Sequence, residues 1–300
     1  MRQPDRVLVD RIEALIQRDV GRNITALFGS ARGGLWQAAS ALAASDAPRI
    51  GLITGFYVPH GTPPAAETDG PAGAALLAAG FSRFGIPCRL LTDLPCRSAC
   101  AAALFGGGLT DVPVDSVAVG EPLEPVIAAW RAHEIDWVIS VERCGRSADG
   151  KPRNMRGEDI SAHAAPLDDV FTAGPWRSIA IGDGGNEIGM GSLPHGLVAA
   201  HVAHGERIAC VTPADYLILA GVSHWGVYGL LSALALLHPR GAALLPCLTP
   251  ALDQAILRSL VFDGPAVDGV SQRQALTIDC IDAPAHARML EAVRAVALRG

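Results

Sequence analysis

Short apolar runs alternate with helical segments along this chain, and this alternation constrains the fold more than any other feature. The runs end in small or polar residues, as buried strands that feed loops do. Parallel strands need long crossovers, and the helical segments between the runs supply them. The sequence therefore predicts an α/β fold: a mostly parallel sheet with helices on both faces and an active site at the carboxyl edge of the strands.

The predicted strands cover residues 50–53, 88–91, 137–141, 178–181, 208–212, 242–246 and 276–280. The predicted helices cover residues 7 to about 21, 35–44, 74–84, 123–133, 217–237, 250–260 and 285–298. The apolar segment 217–237 is long enough to span a bilayer, but Ser223, His224 and Tyr228 interrupt it and no basic cluster flanks it, which favours a buried helix. We expect a single domain over residues 1–300, with any sub-domain boundary in the loops 106–121 or 142–163.

Composition narrows the classes of partner. Half of the 300 residues are hydrophobic, the net charge is -6 and no run of Lys or Arg occurs, which disfavours nucleic acid and anionic membranes. The segment Met1–Arg6 leads into a charged sequence without a signal-peptide pattern, so we expect a cytoplasmic protein that could form a homo-oligomer. The seven scattered cysteines are typical of buried thiols; Cys96 and Cys100, four apart, leave zinc as a weaker alternative.

The segment Gly182–Gly191 is the sharpest candidate for a functional site. It holds five glycines around Asp183, Asn186 and Glu187. Glycines allow close approach of the backbone to a ligand, while carboxylates bind a divalent cation or an ammonium group. We expect Gly184, Gly185 and Asn186 to contact substrate; the alternative is an acidic surface turn.

Two further segments carry clustered charges. The polar loop that begins at Glu142 contains Arg146 and Arg156, which could bind a substrate carboxylate, although a self-paired loop is an alternative. The segment Glu67–Gly73 offers Glu67 and Asp69 as metal ligands, although Asp69 could instead cap the helix that follows. Thr54 follows the first predicted strand and is a candidate substrate contact.

Other chemistries find less support. The chain has no Gly-x4-Gly-Lys-Ser/Thr loop, the 182–191 motif does not have dinucleotide-binding spacing, and we expect no nucleotide cofactor. Gly29–Gly34 is either a weak anion site or a plain helix start. No Gly-x-Ser-x-Gly elbow occurs, Cys144 has no motif-linked base, and His224 reads as a core histidine.

These motifs together resemble the D-glutamate cyclase family, from about residue 20 to the last helix. The segments that carry the resemblance are Ile53-Thr-Gly-Phe56, Glu67-Thr-Asp-Gly-Pro71, Thr92-Asp93, Glu142-Arg143, Asn154-Met-Arg-Gly157, Gly182–Gly191 and Ala220-Gly-Val-Ser223. The resemblance implies conversion of D-glutamate to 5-oxo-D-proline by loss of water. The sequence departs from the family pattern at Ser192 and His224, where the family has Asn.

The residue chemistry suggests roles for this reaction. Glu142 or Glu187 would be the general base, and Asp183 with Glu67 and Asp69 would bind the ammonium group or a Mg or Mn ion, with Glu187 as a further ligand. Arg146 and Arg156 would bind the substrate carboxylates, and the motif amides would face the oxyanion.

Two alternatives use the same pocket. One is a metal-dependent hydrolase or phosphatase whose ligands are Glu67, Asp69, Asp183 and Glu187. The other is a non-catalytic protein that binds an amino acid.

Overall fold

A computed structural model describes residues 3–300 of the chain, so the expectation about Met1–Arg6 falls partly outside the described residues. Within this range the strands β1–β10 are Ile50–Ile53, Tyr57–Val58, Ala65–Ala66, Cys88–Asp93, Val114–Val117, Trp137–Val141, Arg177–Gly182, Tyr216–Leu219, Thr277–Ile278 and Ile281–Asp282. The helices α1–α12 are Gln3–Ile16, Thr25–Ala31, Gly34–Ala43, Asp69–Phe84, Arg97–Gly106, Glu124–Ala132, Asp168–Ala173, Leu197–His201, Gly205–Ile208, Ser223–Leu237, Pro250–Phe262 and Ala283–Ala297.

Six strands form one parallel sheet in the order β5-β4-β1-β6-β7-β8. The chain starts in the middle at β1, adds β4 and β5 on one side and then returns to add β6, β7 and β8 on the other. The prediction of a parallel sheet is confirmed. The loops after β1 and β6 leave neighbouring strands in opposite directions, and such a switch point is where open parallel sheets bind ligands.

Helices cover both faces of the sheet, as predicted. Ile50 and Leu52 of β1 belong to a core formed with α1, α3, α4, α5, α10, α11 and α12. Ile53 of β1 and Leu91 of β4 belong to a second core formed with α2, α6, α7, α8 and α9. Because both faces are buried, the central strands are mostly apolar, and each fully buried Ile or Leu contributes roughly 1.5–3 kcal/mol.

The buried helix expected at 217–237 is α10, which begins at Ser223 and lies in the first core. Its predicted first residues form strand β8 instead. A side chain at Gly221 would lie 1.8 Å from the carbonyl oxygen of Arg18, so the chain passes tightly against α1's end between strand and helix. No helix in the described part of the chain combines the length and apolar character that a bilayer crossing requires.

Three predicted strands were wrong or incomplete. Residues 208–212 form the end of α9 and an irregular segment, since the sixth sheet strand is β8. Residues 242–246 begin in the 3-10 helix Gly241–Leu244. Residues 276–280 contribute only β9, which pairs with β10 in a separate antiparallel hairpin.

The prediction that residues 106–121 form a loop was also wrong in part, because this segment contains the edge strand β5. Its half-buried residues lack the apolar run that marks a central strand. The single-domain expectation and its boundary stay predictions.

The Gly29–Gly34 segment is mostly helical, since α2 includes Gly29 and α3 begins at Gly34. The amides at the start of α3 do bind a carboxylate, but it is the side chain of Glu13 in this same chain. Both oxygens of buried Glu13 accept hydrogen bonds from the amides of Gly33 and Leu35, at 2.7 and 3.0 Å. This helix start therefore serves packing against α1.

Candidate active site

A cavity of about 250 Å³ opens at the carboxyl edge of the sheet, next to the switch point between β1 and β6. Loops after β1, β6 and β7 contribute Phe56, Glu142 and Asp183 to its lining. The polar loop after β6 adds Asn154 and Arg156, while the terminal regions of the chain add Arg22, Gly269, Gln272 and Asp279. Segments that are distant in sequence thus meet over one sheet edge.

Five carboxylates gather on the inner side of this cavity, and we call them the acidic cluster: Glu67, Asp69, Glu142, Asp183 and Asp279. Four of them line the cavity. The fifth, Asp69, is 2% exposed, and oxygens of Asp69, Glu142 and Asp183 lie within 4.8 Å of one another. Glu142 has a positive φ of 42°, which is uncommon for a residue with a side chain and marks a constrained backbone at the site.

The first turn of α10 stabilises three members of the cluster. The amide of Ser223 donates to Asp69 at 3.1 Å and to Asp183 at 2.8 Å, and the amide of His224 donates to Asp69 at 2.7 Å. The Ser223 hydroxyl donates to Glu142 at 2.5 Å. These free amides carry the positive end of the helix dipole, so they attract negative charge. Asp69 is the first residue of α4 but makes no cap bond there; it caps α10 instead.

Arg22 supplies the counter-cation of the cluster. Its guanidinium forms ion pairs with Asp183 and, at 2.5 Å, with Asp279. Asp19 holds the backbone before it, because one Asp19 oxygen accepts from the amides of Gly21 and Arg22 at 2.8 and 3.0 Å. Neither Arg22 nor Asp279 was predicted from the sequence. The turn Asp19-Val-Gly21 was the local signal that could have drawn attention to Arg22.

Burial and mutual repulsion raise the pKa values of the cluster. Burial is the largest cause for every member, and neighbouring carboxylates add to it. The pKa of Asp183 rises to about 6 and that of Asp279 to about 7, although Arg22 opposes both shifts. Perturbed carboxyl groups of this kind concentrate at functional sites.

The cluster also fits a hard divalent cation. Its donors are all carboxylate oxygens, which Mg and Mn prefer. Glu67 lines the cavity at 7% exposure, and its Oε1 atom is buried without a hydrogen-bond partner. Buried polar atoms are normally paired, so this oxygen is available to a group that enters the cavity.

Glu187 lies deeper than expected. Its carboxylate accepts hydrogen bonds from the amides of Asp183, Gly184 and Gly185, at 3.1, 2.6 and 2.7 Å. Glu187 is fully buried and absent from the cavity lining. It therefore shapes the glycine turn, and it occupies the amides that were expected to face an oxyanion.

Asn186 of the same motif does line the cavity, with its side-chain amide donating to the Arg153 carbonyl at 2.8 Å. Side chains at Gly184 and Gly185 would approach Met155 Sδ to 2.8 Å and Val198 Cγ1 to 2.7 Å. The glycines are needed for packing as well as for the turn.

The two arginines that were expected to bind substrate carboxylates, Arg146 and Arg156, do not lie together. Arg156 lines the cavity, where the Gln272 amide, turned with its oxygen toward the guanidinium, accepts at 2.6 and 3.0 Å. Arg146 lies outside the lining and pairs with Asp168 and Asp169. Thr54 is also outside, since it is fully buried and its hydroxyl donates to the Val141 carbonyl at 2.8 Å.

His224 belongs to a buried polar network beneath the cluster. Its Nε2 lies 2.6 Å from Asp253, which also accepts from the Tyr228 hydroxyl at 2.7 Å. His224 and Ser192 both lie outside the cavity lining. Six of the seven cysteines, including Cys96, Cys100 and Cys144, are buried free thiols as expected, but Cys280 is exposed.

A carboxylate-rich cavity at the switch point of a doubly wound parallel sheet defines the class: an α/β protein with a candidate ligand cavity at the carboxyl edge of its strands. The chain belongs to the D-glutamate cyclase-like, C-terminal family, whose model matches residues 12–294. Over 213 residues it is 33% identical to "D-glutamate cyclase, mitochondrial" of Homo sapiens. The match covers 66% of this chain and 34% of the human protein. The chain therefore spans about a third of the length of that relative.

Proposed function

We propose that the protein is a D-glutamate cyclase-like lyase that converts D-glutamate to 5-oxo-D-proline and water. The observation that carries the proposal is the polarity of one cavity, with Glu142 and Asp183 on its inner side and Arg156 on its wall. A substrate with an ammonium group and carboxylates matches this division of charge. The family to which the chain belongs and the human relative support the same activity.

The residues that line the cavity divide the reaction between them. Arg156 binds a substrate carboxylate, and Asp183 and Glu67 bind the ammonium group. Glu142 takes a proton from the ammonium group, and its raised pKa, caused first by burial and then by Asp183, makes it a better base than an exposed carboxylate. The freed amine forms a bond to the carbon of the γ-carboxyl group, and the bond from that carbon to one carboxyl oxygen breaks. The oxygen leaves as water, taking the proton that Glu142 received and the second proton that the nitrogen loses as it becomes the amide. Because attack is intramolecular, a closed pocket supplies much of the acceleration by orientation.

We assign the base to Glu142 rather than to Glu187. Three backbone amides hold the Glu187 carboxylate, so a proton transfer there would break the glycine turn. We likewise assign carboxylate binding to Arg156 rather than to Arg146, which is paired outside the cavity. Gly184, Gly185, Asn186 and Thr54 would then act by shaping the pocket, with Asn186 at its surface.

The test is to incubate the purified protein with D-glutamate and, in parallel, with L-glutamate. We expect loss of one water from D-glutamate, detected by mass spectrometry, and much slower loss from L-glutamate. Unchanged D-glutamate with a folded sample, tested both with and without added Mg or Mn, contradicts the proposal.

A metal-dependent hydrolase is the second candidate. The close oxygens of Asp69, Glu142 and Asp183 and the unpaired Oε1 of Glu67 favour it. A bound Mg or Mn ion would supply electrophilic assistance at this position. Elemental analysis of the purified protein, together with phosphate-ester turnover that a chelator abolishes, would favour the hydrolase over the cyclase.

A non-catalytic amino-acid-binding protein is the third candidate. Saturable binding of D-glutamate without turnover of any tested substrate would identify it. Cytoplasmic location and homo-oligomerisation stay predictions.

A further inference from the structure

The charge balance of the acidic cluster is uneven. Among the described residues, ion pairs reach only two of the five carboxylates of the cluster, Asp183 and Asp279, and both come from the guanidinium of Arg22. The side chain of Arg22 is 17% exposed and that of Asp183 is 1% exposed, so water screens their contact weakly. The attraction of the cluster for positive charge is therefore larger than Arg22 alone satisfies.

Asp183 pairs with Arg22 and also belongs to the group of carboxylates that could hold a metal ion. One of its oxygens, Oδ1, pairs with Arg22, and the other, Oδ2, accepts from the Ser223 amide at 2.8 Å. Asp183 also lies with Asp69 and Glu142 in the group whose oxygens are close enough to share one cation. Arg22 therefore sits against the same carboxylate that a bound cation would need.

Arg22 reaches the cluster from a loop outside the sheet. Asp19 fixes the turn through the amides of Gly21 and Arg22, and Gly21 has a φ of 100°. The second ion pair of Arg22, with Asp279, can hold the guanidinium in the cluster when Asp183 binds another cation. The guanidinium can thus leave one carboxylate without losing both.

We propose that Arg22 is a built-in counter-cation that competes with a divalent metal ion for Asp183. Metal binding to Asp69, Glu142 and Asp183 releases Arg22 from Asp183 and leaves it paired with Asp279. This inference rests on the metal-binding capacity discussed under the proposed function, and it is independent of which reaction the site performs. The unpaired Oε1 of Glu67 is the second observation that indicates a cation at this cluster.

The test is to titrate metal-free protein with Mn²⁺ in a calorimeter. We expect Arg22→Gln to bind Mn²⁺ at least about tenfold more tightly than the wild type, because a like charge beside the ion is gone. Without metal, the same variant should have a lower Tm, since the cluster loses its counter-cation, and saturating Mn²⁺ should restore most of the loss. Arg18→Gln is the matched control, because Arg18 is exposed and outside the cavity lining, and it should change neither quantity.

If Arg22→Gln does not fold, Arg22→Lys is measured in its place. Lysine keeps the charge but cannot bridge two carboxylates in a fork, so we expect Mn²⁺ binding at least about threefold tighter than the wild type. Equal or weaker Mn²⁺ binding by the folded variants overturns the inference, and so does the absence of Mn²⁺ binding in every protein. D-glutamate turnover in the presence of chelator is scored separately, so failure of this inference and failure of the cyclase proposal are distinguishable.

Discussion

Two buried charged groups lie at the same carboxyl edge of the sheet, and their charge balance differs. In the first, Arg143 pairs with Asp93, and both side chains are fully buried. Arg143 also donates to the carbonyls of Gly55 and Ala165 at 2.7 and 2.6 Å, and Asp93 accepts from the Ala165 amide at 2.8 Å. In the second, the acidic cluster, Arg22 pairs with two of the five carboxylates, Asp183 and Asp279.

The difference in charge balance indicates that the first group stabilises the fold and that the second is suited to binding a ligand. The Arg143–Asp93 pair is neutral, and its hydrogen bonds join the loops after β1, β4 and β6 without need of a ligand, although the Arg143 Nε atom has no partner. The acidic cluster keeps three carboxyl groups that Arg22 does not pair and one oxygen without a partner, and their burial costs free energy that a bound cation would reduce. A protein retains such a cost where function requires it.

The largest expected effect is on activity at Asp183. Asp183→Asn keeps an oxygen for the Ser223 amide but removes the charge that binds an ammonium group or a metal. We expect turnover of D-glutamate to fall at least about 100-fold, with a Tm within a few degrees of the wild type, because one like charge has left the cluster. Steady-state kinetics and thermal unfolding measure the two quantities. Undiminished turnover by Asp183→Asn would remove Asp183 from the mechanism.

Asp93→Asn should show the opposite pattern, with stability as the main loss. The substitution leaves the Arg143 guanidinium buried beside a neutral partner, and breaking such a pair costs about 3–5 kcal/mol. Denaturant unfolding checks this. The control is Asp10→Asn, which breaks a half-exposed pair with Arg6 on one helix and should cost less than about 1 kcal/mol. Equal losses in the two variants would contradict the distinction drawn here.

The pH dependence of stability should reveal the repulsion within the cluster. Because the pKa of Asp279 rises to about 7 in the folded state, folded protein binds a proton there that unfolded protein releases near pH 4. The stability from this proton is fully present below pH 4 and is lost as pH rises to about 7.

Comparison of metal-free wild type with Asp279→Asn isolates this contribution. We expect the free energy of unfolding of the wild type to fall, relative to the variant, by on the order of 2 kcal/mol between pH 4 and pH 7. Denaturant unfolding at several pH values measures the difference. Parallel profiles would show that Asp279 ionises normally.

Much of the fold was predictable because its central strands are buried on both faces. Ile50–Ile53 and Trp137–Val141 are buried throughout and almost entirely apolar, so their strand character can be read from the local sequence. The edge strand β5 contains Asp115 and Ser116 and is half buried, which gives no such signal. Strand β8 runs into α10 with a single glycine-containing turn, so its apolar residues were merged with the helix.

The candidate site was predictable only in part, for a similar reason. Acidic residues that directly follow strands, such as Glu142 and Asp183, can be predicted as site residues, because the carboxyl ends of parallel strands meet at one sheet edge. Arg22 and Asp279 come from the terminal regions of the chain, and only tertiary packing brings them together. Glu187 and Asp183 lie in one motif, and sequence alone does not tell which faces the cavity and which holds the turn.

The smallest expected effects distinguish the two arginines of the polar loop. Arg156→Gln removes a guanidinium from the cavity wall, and we expect KM for D-glutamate to rise about tenfold with little change in kcat, since binding to substrate and transition state is lost equally. Arg146→Gln removes a half-exposed pair with Asp169 outside the cavity, and KM should change less than about twofold. Kinetics of both variants under one set of conditions give the comparison. If Arg146→Gln instead weakens binding as much as Arg156→Gln, the substrate reaches beyond this cavity toward Asp168, and the boundary of the site drawn here is wrong.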